Sequence, residues 1–131
     1  TEEIFTLISK DKKSIHLEEF MEFPKSFENE TLNKKWLELK KIKDICNISI
    51  ETKRANKEIG SSLEVNLNIK LNKNLYEISN NIDFSELCIT SFATIEESNA
   101  EEVIVESKKA EGDKCPVCWK ISKESCKRHS R

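Results

Sequence analysis

No stretch of this chain approaches the ~20 consecutive apolar residues needed to span a bilayer. Its Thr1-Glu2-Glu3 start has neither the basic region nor the apolar run of a signal peptide. A cytoplasmic location without a membrane partner is therefore expected. Initiating methionine is missing too, which suggests a piece excised from a longer chain. Arginine is scarce, three against nineteen lysines. Together with abundant Asn and Ile this looks like drift toward A+T-rich codons, so lysine in place of arginine carries little information. Cysteines number five, an odd count clustered toward the end. That excludes a simple disulfide framework and points to a metal site plus two singles, Cys46 and Cys88, which lie in apolar patterns as small buried hydrophobes. No serine-histidine constellation stands out, and His16 is remote in sequence from the cysteines, so independent hydrolytic or redox catalysis has no visible basis.

What is present suffices for a folded body. With 131 residues, one compact domain, or one domain with a small metal-stabilised appendage, can be built. Apolar residues at 37% recur periodically among 35% charged ones, which separates the chain from disordered sequences. The net charge of -2 hides an uneven distribution: eight acids against four lysines in the first thirty residues, then six basic side chains against Glu124 alone from Lys114 onward. Such a cationic tail attracts phosphates, or is merely a solvated surface.

Apolar Ile4 to Ile8, a polar turn from Lys10 to Ser14 and an extended Ile15-His16-Leu17 read as a connector that continues to Pro24. From Thr31, a candidate cap, the positions Leu32, Trp36, Leu39, Ile42, Ile45 or Cys46 and Ser49 recur at helical spacing. This helix is predicted to run to about Lys57, with Gly60 in the stop position past its end. Its lysines and Arg54 outnumber its acids, giving a positive outer surface. Leu63, Val65, Leu67, Ile69 and Leu71 then alternate with polar residues as in a half-buried strand. A turn at Asn72 to Asn74, a short helix over Leu75 to Ile82, and strands at Leu87 to Thr94 and Val103 to Ser107, separated by an acidic loop, complete an α+β fold. The predicted order is a long helix, a small sheet with a short helix, and a zinc-knuckle tail. Residues 1–60 form the connector and helical segment, 61–110 a small α/β subdomain, and 111–131 the zinc-binding tail.

The tail carries the chemistry. Cys115-Pro116-Val117-Cys118 is a Cys-x-x-Cys knuckle, whose spacing lets one tight turn aim two sulfurs at a tetrahedral ion. Cys126-Lys127-Arg128-His129 repeats the spacing with a thiolate and an imidazole, matching Cys3His coordination of Zn2+. A thioredoxin-like redox motif is the competing chemistry, but it belongs to a βαβ context that is not visible here. Four protein ligands fill the shell, so the zinc is expected to be structural. The ordered tail then presents Lys114, Lys120, Lys123, Lys127, Arg128 and Trp119 to phosphates and to an unpaired base. Trp119 packing beneath the knuckle is the alternative.

These residues resemble a family. Lys114-Cys115-x-x-Cys118-Trp119 followed by a second Cys-x-x-ligand pair is similar to the C-terminal zinc finger of bacterial isoleucyl-tRNA synthetases, a type shared with some DNA glycosylases. Ser14-Ile15-His16-Leu17 ahead of Phe23-Pro24 resembles that family's Ser-Val-His-Leu segment before the anticodon-binding helices. Arg54-x-x-Lys57-x-Ile59-Gly60-Ser61-Ser62-Leu63-Glu64 is similar to its passage from long helix to strand, and Trp36 falls where its helix carries a tryptophan. Three departures stand out: a shorter loop between ligand pairs, His129 in place of a cysteine, and Lys43 in place of an arginine.

The resemblance implies the tRNA-binding C-terminal part of an ATP-dependent isoleucine-tRNA ligase, monomeric and itself non-catalytic. It would position tRNA(Ile) for an upstream catalytic domain of the same chain, where ATP is used. Arg54 and Lys57 then join Lys114, Trp119, Lys120, Lys123, Lys127 and Arg128 as candidate tRNA contacts, although a structural helix-to-strand bond is an equal reading for Arg54. The rival is a free-standing zinc-ribbon module that binds another protein through its acidic loop, Glu96 to Glu102, and its basic tail.

Overall fold

Period-two alternation makes the central strand. In the computed structural model, which describes residues 1–9 and 13–129, β1 (Val65–Leu71) buries Val65, Leu67, Ile69 and Leu71 on one face and leaves Asn66, Asn68 and Lys70 half-buried on the other. It pairs in parallel with β2 (Phe92–Glu97) and antiparallel with β3 (Ile104–Lys109), giving the order β2-β1-β3. The buried face of β1 joins Leu39, Ile42, Cys46 and Ile50 of the long helix α2 (Glu30–Ala55), together with Ile59, Phe84 and Cys88, in one apolar cluster. Fully burying one such aliphatic side chain contributes about 1.5–3 kcal/mol, so this cluster is the main source of stability.

Two compact units divide the chain, residues 1–30 and 31–131. In the first, α1 (Glu2–Ile8) precedes a 3-10 turn at Ile15–Leu17. That turn corrects the extended reading of Ile15-His16-Leu17. Local polar bonds decide it: Ser14 Oγ accepts the His16 backbone N–H, and the Glu2 carboxylate accepts both the Ser14 hydroxyl and the Ile15 N–H. The part of the polar turn at Lys10, Asp11 and Lys12 lies outside the described residues.

In the second unit the long helix is present, but its end differs from expectation. Lys57, not Gly60, takes the left-handed conformation, at φ 59°. Glu58 N–H reaches the Lys53 carbonyl and Lys57 N–H the Arg54 carbonyl, the paired bonds of a Schellman stop. Helical burial follows Leu39, Ile42, Cys46 and Ile50, while Leu32 and Trp36 stay exposed. Ser49 instead bonds the Ser107 hydroxyl at 2.8 Å, tying α2 to β3.

The predicted short helix is α3 (Lys73–Ser79), capped by the Asn72 side chain. The strand expected from Leu87 starts late. Asp83 Oδ1 accepts the Ser85 and Glu86 N–H groups and turns Phe84–Leu87 into a short helix, α4, so β2 begins only at Phe92. Capping at Asp83 here outweighs the apolar run. Cys46 and Cys88 are buried in the core as expected, and their mutual contact and burial push the Cys46 thiol far above its ordinary value. A two-stranded hairpin, β4 (Asp113–Lys114) and β5 (Ile121–Ser122), supports the tail. No helix of the described residues is long and apolar enough to cross a membrane.

Candidate metal centre

The hairpin brings the two Cys-x-x-ligand turns together. Cys115 N–H bonds the Lys120 carbonyl and Trp119 N–H bonds the Cys115 carbonyl, closing the first knuckle; His129 N–H bonds the Cys126 carbonyl, closing the second. One donor atom from each of Cys115, Cys118, Cys126 and His129 lies within 4.8 Å of all the others. The separations are 3.7 Å between the Cys118 and Cys126 sulfurs, and 3.6 and 3.4 Å from His129 Nδ1 to the Cys115 and Cys126 sulfurs.

Metal–ligand lengths of ~2.3 Å to sulfur and ~2.0–2.1 Å to nitrogen, at the tetrahedral angle, require about 3.8 Å between sulfurs and about 3.5 Å from sulfur to nitrogen. These three separations match a tetrahedral shell, the remaining ones stay within 4.8 Å, and the donor set can bind a metal ion. Its electrostatics favour this. Backbone N–H groups of Cys118 and Val117, aimed at the Cys115 sulfur, push that thiol down to about 6, so it is largely thiolate at neutral pH. Cys118 accepts the Lys120 N–H, which lowers it, but burial and the neighbouring Cys115 and Cys126 sulfurs prevail and hold it above its ordinary value. A cation among these crowded sulfurs would favour their joint ionisation.

Trp119 stands at φ 64°, where a bulky residue is strained by about 1–3 kcal/mol. Its ring is 59% exposed, with Lys114 Nζ 5.4 Å from the ring centroid. So Trp119 does not pack beneath the knuckle. The other candidate cations are placed unequally. Lys120 donates to Glu86 at 2.8 Å and to Ser85 Oγ, fastening tail to body. Lys123 pairs with Glu111 at 2.6 Å, while Lys127 and Arg128 stand 3.9 and 4.0 Å from Glu124 and Glu86. Arg54 pairs with Glu51 on its own helix, and Lys57 forms the exposed helix stop beyond it.

Two supporting residues escaped the sequence reading. Gly112, at φ 124°, lies so close to β5 that a Cβ there would sit 2.2 Å from the Ser122 carbonyl. The chain has two glycines, and one placed just before the first knuckle was a usable signal. Ser91 donates to the Leu63 carbonyl and accepts the Ile121 N–H at 2.6 Å, docking the hairpin on the sheet; nothing in the sequence marks it.

No protein-family model matches the chain. Curated relatives do. It is 68% identical over 99% of its length to an isoleucine–tRNA ligase of Pelagibacter ubique, covering 14% of that protein. It is 35% identical over 93% of its length to the Agrobacterium fabrum isoleucine–tRNA ligase, again covering 14% of the relative. The Bartonella henselae isoleucine–tRNA ligase is 34% identical over 87% of the chain and is covered to 13%. The chain thus spans about one seventh of the curated relatives it matches, and it belongs to the isoleucine–tRNA ligase family, of which it represents the C-terminal region.

Proposed function

We propose that this chain is the tRNA-gripping, non-catalytic part of a cytoplasmic isoleucine–tRNA ligase, positioning tRNA(Ile) for ATP-dependent aminoacylation elsewhere in the longer protein. Cys115, Cys118, Cys126 and His129 hold a structural zinc ion, and the division into a helical segment, a small α/β subdomain and a zinc-binding tail belongs to the same reading. Zinc supplies the bonds that a tail with almost no apolar burial lacks.

The observation that carries the proposal is the outward Trp119 ring with Lys114 over it, fixed by the knuckle beside further cations. An exposed ring offers a base a stacking surface, and Lys114, Lys123, Lys127 and Arg128 offer its phosphates positive charge. Pairing with exposed carboxylates does not disqualify these cations, because such surface pairs are weak and a phosphate displaces the carboxylate. Arg54 and Lys57 extend the contact to the end of α2. Lys120, held by Ser85 and Glu86, serves first to seat the tail.

Binding of the zinc-loaded and chelator-treated chain to isoleucine tRNA, with an unrelated tRNA as competitor and at two salt concentrations, tests this. Zinc-dependent preference for isoleucine tRNA is expected. Equal, weak, salt-sensitive binding of both tRNAs would reduce the tail to a basic zinc module and overturn the proposal.

A further inference from the structure

What orders the tail and what aims it are different groups of atoms. A metal ion held by Cys115, Cys118, Cys126 and His129 would join the two knuckles to each other, not to the body. Among the described residues, hydrogen bonds from the tail to the body come from Lys120 and Ile121 alone. The Ile121 N–H on Ser91 Oγ fixes one point of the hairpin. One point leaves a hinge, and a second is needed to set an angle.

The short helix α4 supplies that second point. Phe84 and Cys88 sink into the core cluster and hold the helix in place, while Asp83 caps it, accepting the Ser85 hydroxyl at 2.7 Å and the Ser85 N–H at 2.8 Å. Ser85 Oγ, having donated to Asp83, accepts Lys120 Nζ at 3.2 Å, and Glu86 Oε1 takes the same ammonium at 2.8 Å. That Glu86 oxygen also stands 4.0 Å from Arg128 Nη1. The Lys120 backbone belongs to the first knuckle, its N–H on the Cys118 sulfur and its carbonyl receiving the Cys115 N–H. Arg128 lies inside the second, between Cys126 and His129. One carboxylate on a fixed support thus faces a cation from each knuckle.

Exposure separates this contact from an ordinary surface pair. The Lys120 side chain is 26% exposed, against 73% for Lys123 and 91% for Lys127, so it is enclosed between tail and body and poorly placed to meet a phosphate. Pairs shielded from solvent are screened less than open ones. Lys120 foremost, with a smaller attraction from Arg128, holds the Glu86 carboxyl below its usual range.

We infer that Glu86 is the positioning residue of the tail: through Lys120 and Arg128 it sets the angle at which both knuckles stand on the body, whereas the metal sets only the geometry within them. The consequence for RNA rests on the RNA-binding reading above. Trp119 and the cations beside it can act on one RNA together with Arg54 and Lys57 at little ordering cost only while tail and body keep a fixed relation.

The test uses the zinc-loaded full chain, its Glu86→Gln and Lys120→Gln variants and the doubly substituted form. Residual dipolar couplings of backbone amides measure whether the hairpin and β1 share one alignment. The parent is expected to show a single alignment. Each single variant separates hairpin from strand, and the double variant goes no further than either, because the same contact is lost in all three. Zinc affinity and the melting temperature of the body stay unchanged. Binding of isoleucine tRNA gives a second readout, whose sign is decisive. Removing a negative charge beside an RNA surface raises affinity by electrostatics alone, whereas losing the angle of the tail lowers it, by about threefold for Glu86→Gln. A single alignment retained in Glu86→Gln overturns the inference, as does a fall in its zinc affinity or, for a parent that binds tRNA, an affinity that holds or rises. A parent that fails to bind tRNA removes the RNA reading alone, and the couplings still decide the role of Glu86.

Discussion

The body of the second unit and its tail solve the same problem with different materials. In the body, eleven buried apolar side chains from α2, β1, α4 and their connections share one cluster. Beyond Gly112, Cys115 is the only buried apolar side chain among the described residues, and order comes from two knuckles, a two-residue hairpin and the bonds of Ser91 and Lys120. Apolar burial needs many residues to act together, whereas a metal ion held by four donor atoms would concentrate comparable free energy in one point. The body can therefore tolerate loss of any one surface group, while the tail depends on a few particular atoms.

Removing the metal should separate the two regions most sharply. Structural zinc supplies about 10–16 kcal/mol in small finger modules. Chelation, or Cys118→Ser, should abolish metal binding and amide protection across 113–129 while the far-ultraviolet signal of helix and sheet largely remains. A parallel loss of global stability would mean that tail and body form one cooperative unit.

A smaller effect is expected at Gly112. Gly112→Ala adds backbone strain of about 1–3 kcal/mol to a clash with Ser122, so zinc affinity should drop about tenfold or more with the melting of the body unchanged. Metal titration followed by calorimetry measures both; unchanged affinity would show that the hairpin does not position the knuckle.

The smallest expected effect lies in the body and is pH-dependent. The Ser85 hydroxyl, foremost, then the Ser85 and Glu86 N–H groups and Lys120, hold the Asp83 carboxyl below its usual range despite partial burial. Because the folded value is depressed, the cap's stabilisation is complete above the ordinary aspartate value and fades as pH falls through that value toward the folded one. Asp83→Ala should cost about 0.5–2 kcal/mol at neutral pH and flatten the acid side of the stability profile. An unchanged profile would remove Asp83 from the account of α4.

Where one periodicity or one ligand spacing determines structure, the sequence was readable. Alternation from Leu63 to Leu71 marked the central strand, and the repeated Cys-x-x-ligand spacing brought out all four clustered donors. Harder to read were places where short polar bonds compete with apolar pattern. Asp83 converted the start of an expected strand into α4, Ser14 and Glu2 curled an expected extended segment, and Lys57 accepted a left-handed backbone usually left to glycine. The exposure of Phe92 and the docking hydroxyl of Ser91 depend on contacts far along the chain, and no local signal carries them.

Strand order bears on the sequence of events during synthesis. Within the sheet the central strand leaves the ribosome first and stays unpaired until residues 92–97 arrive, and its other edge is covered only by residues 104–109. Ser91 lies at the threshold of that first pairing, so the site that receives Ile121 takes shape before the knuckles have been translated. The tail thus meets a finished seat, and capture of an ion there would close a local loop at low entropic cost instead of recruiting distant parts of the chain.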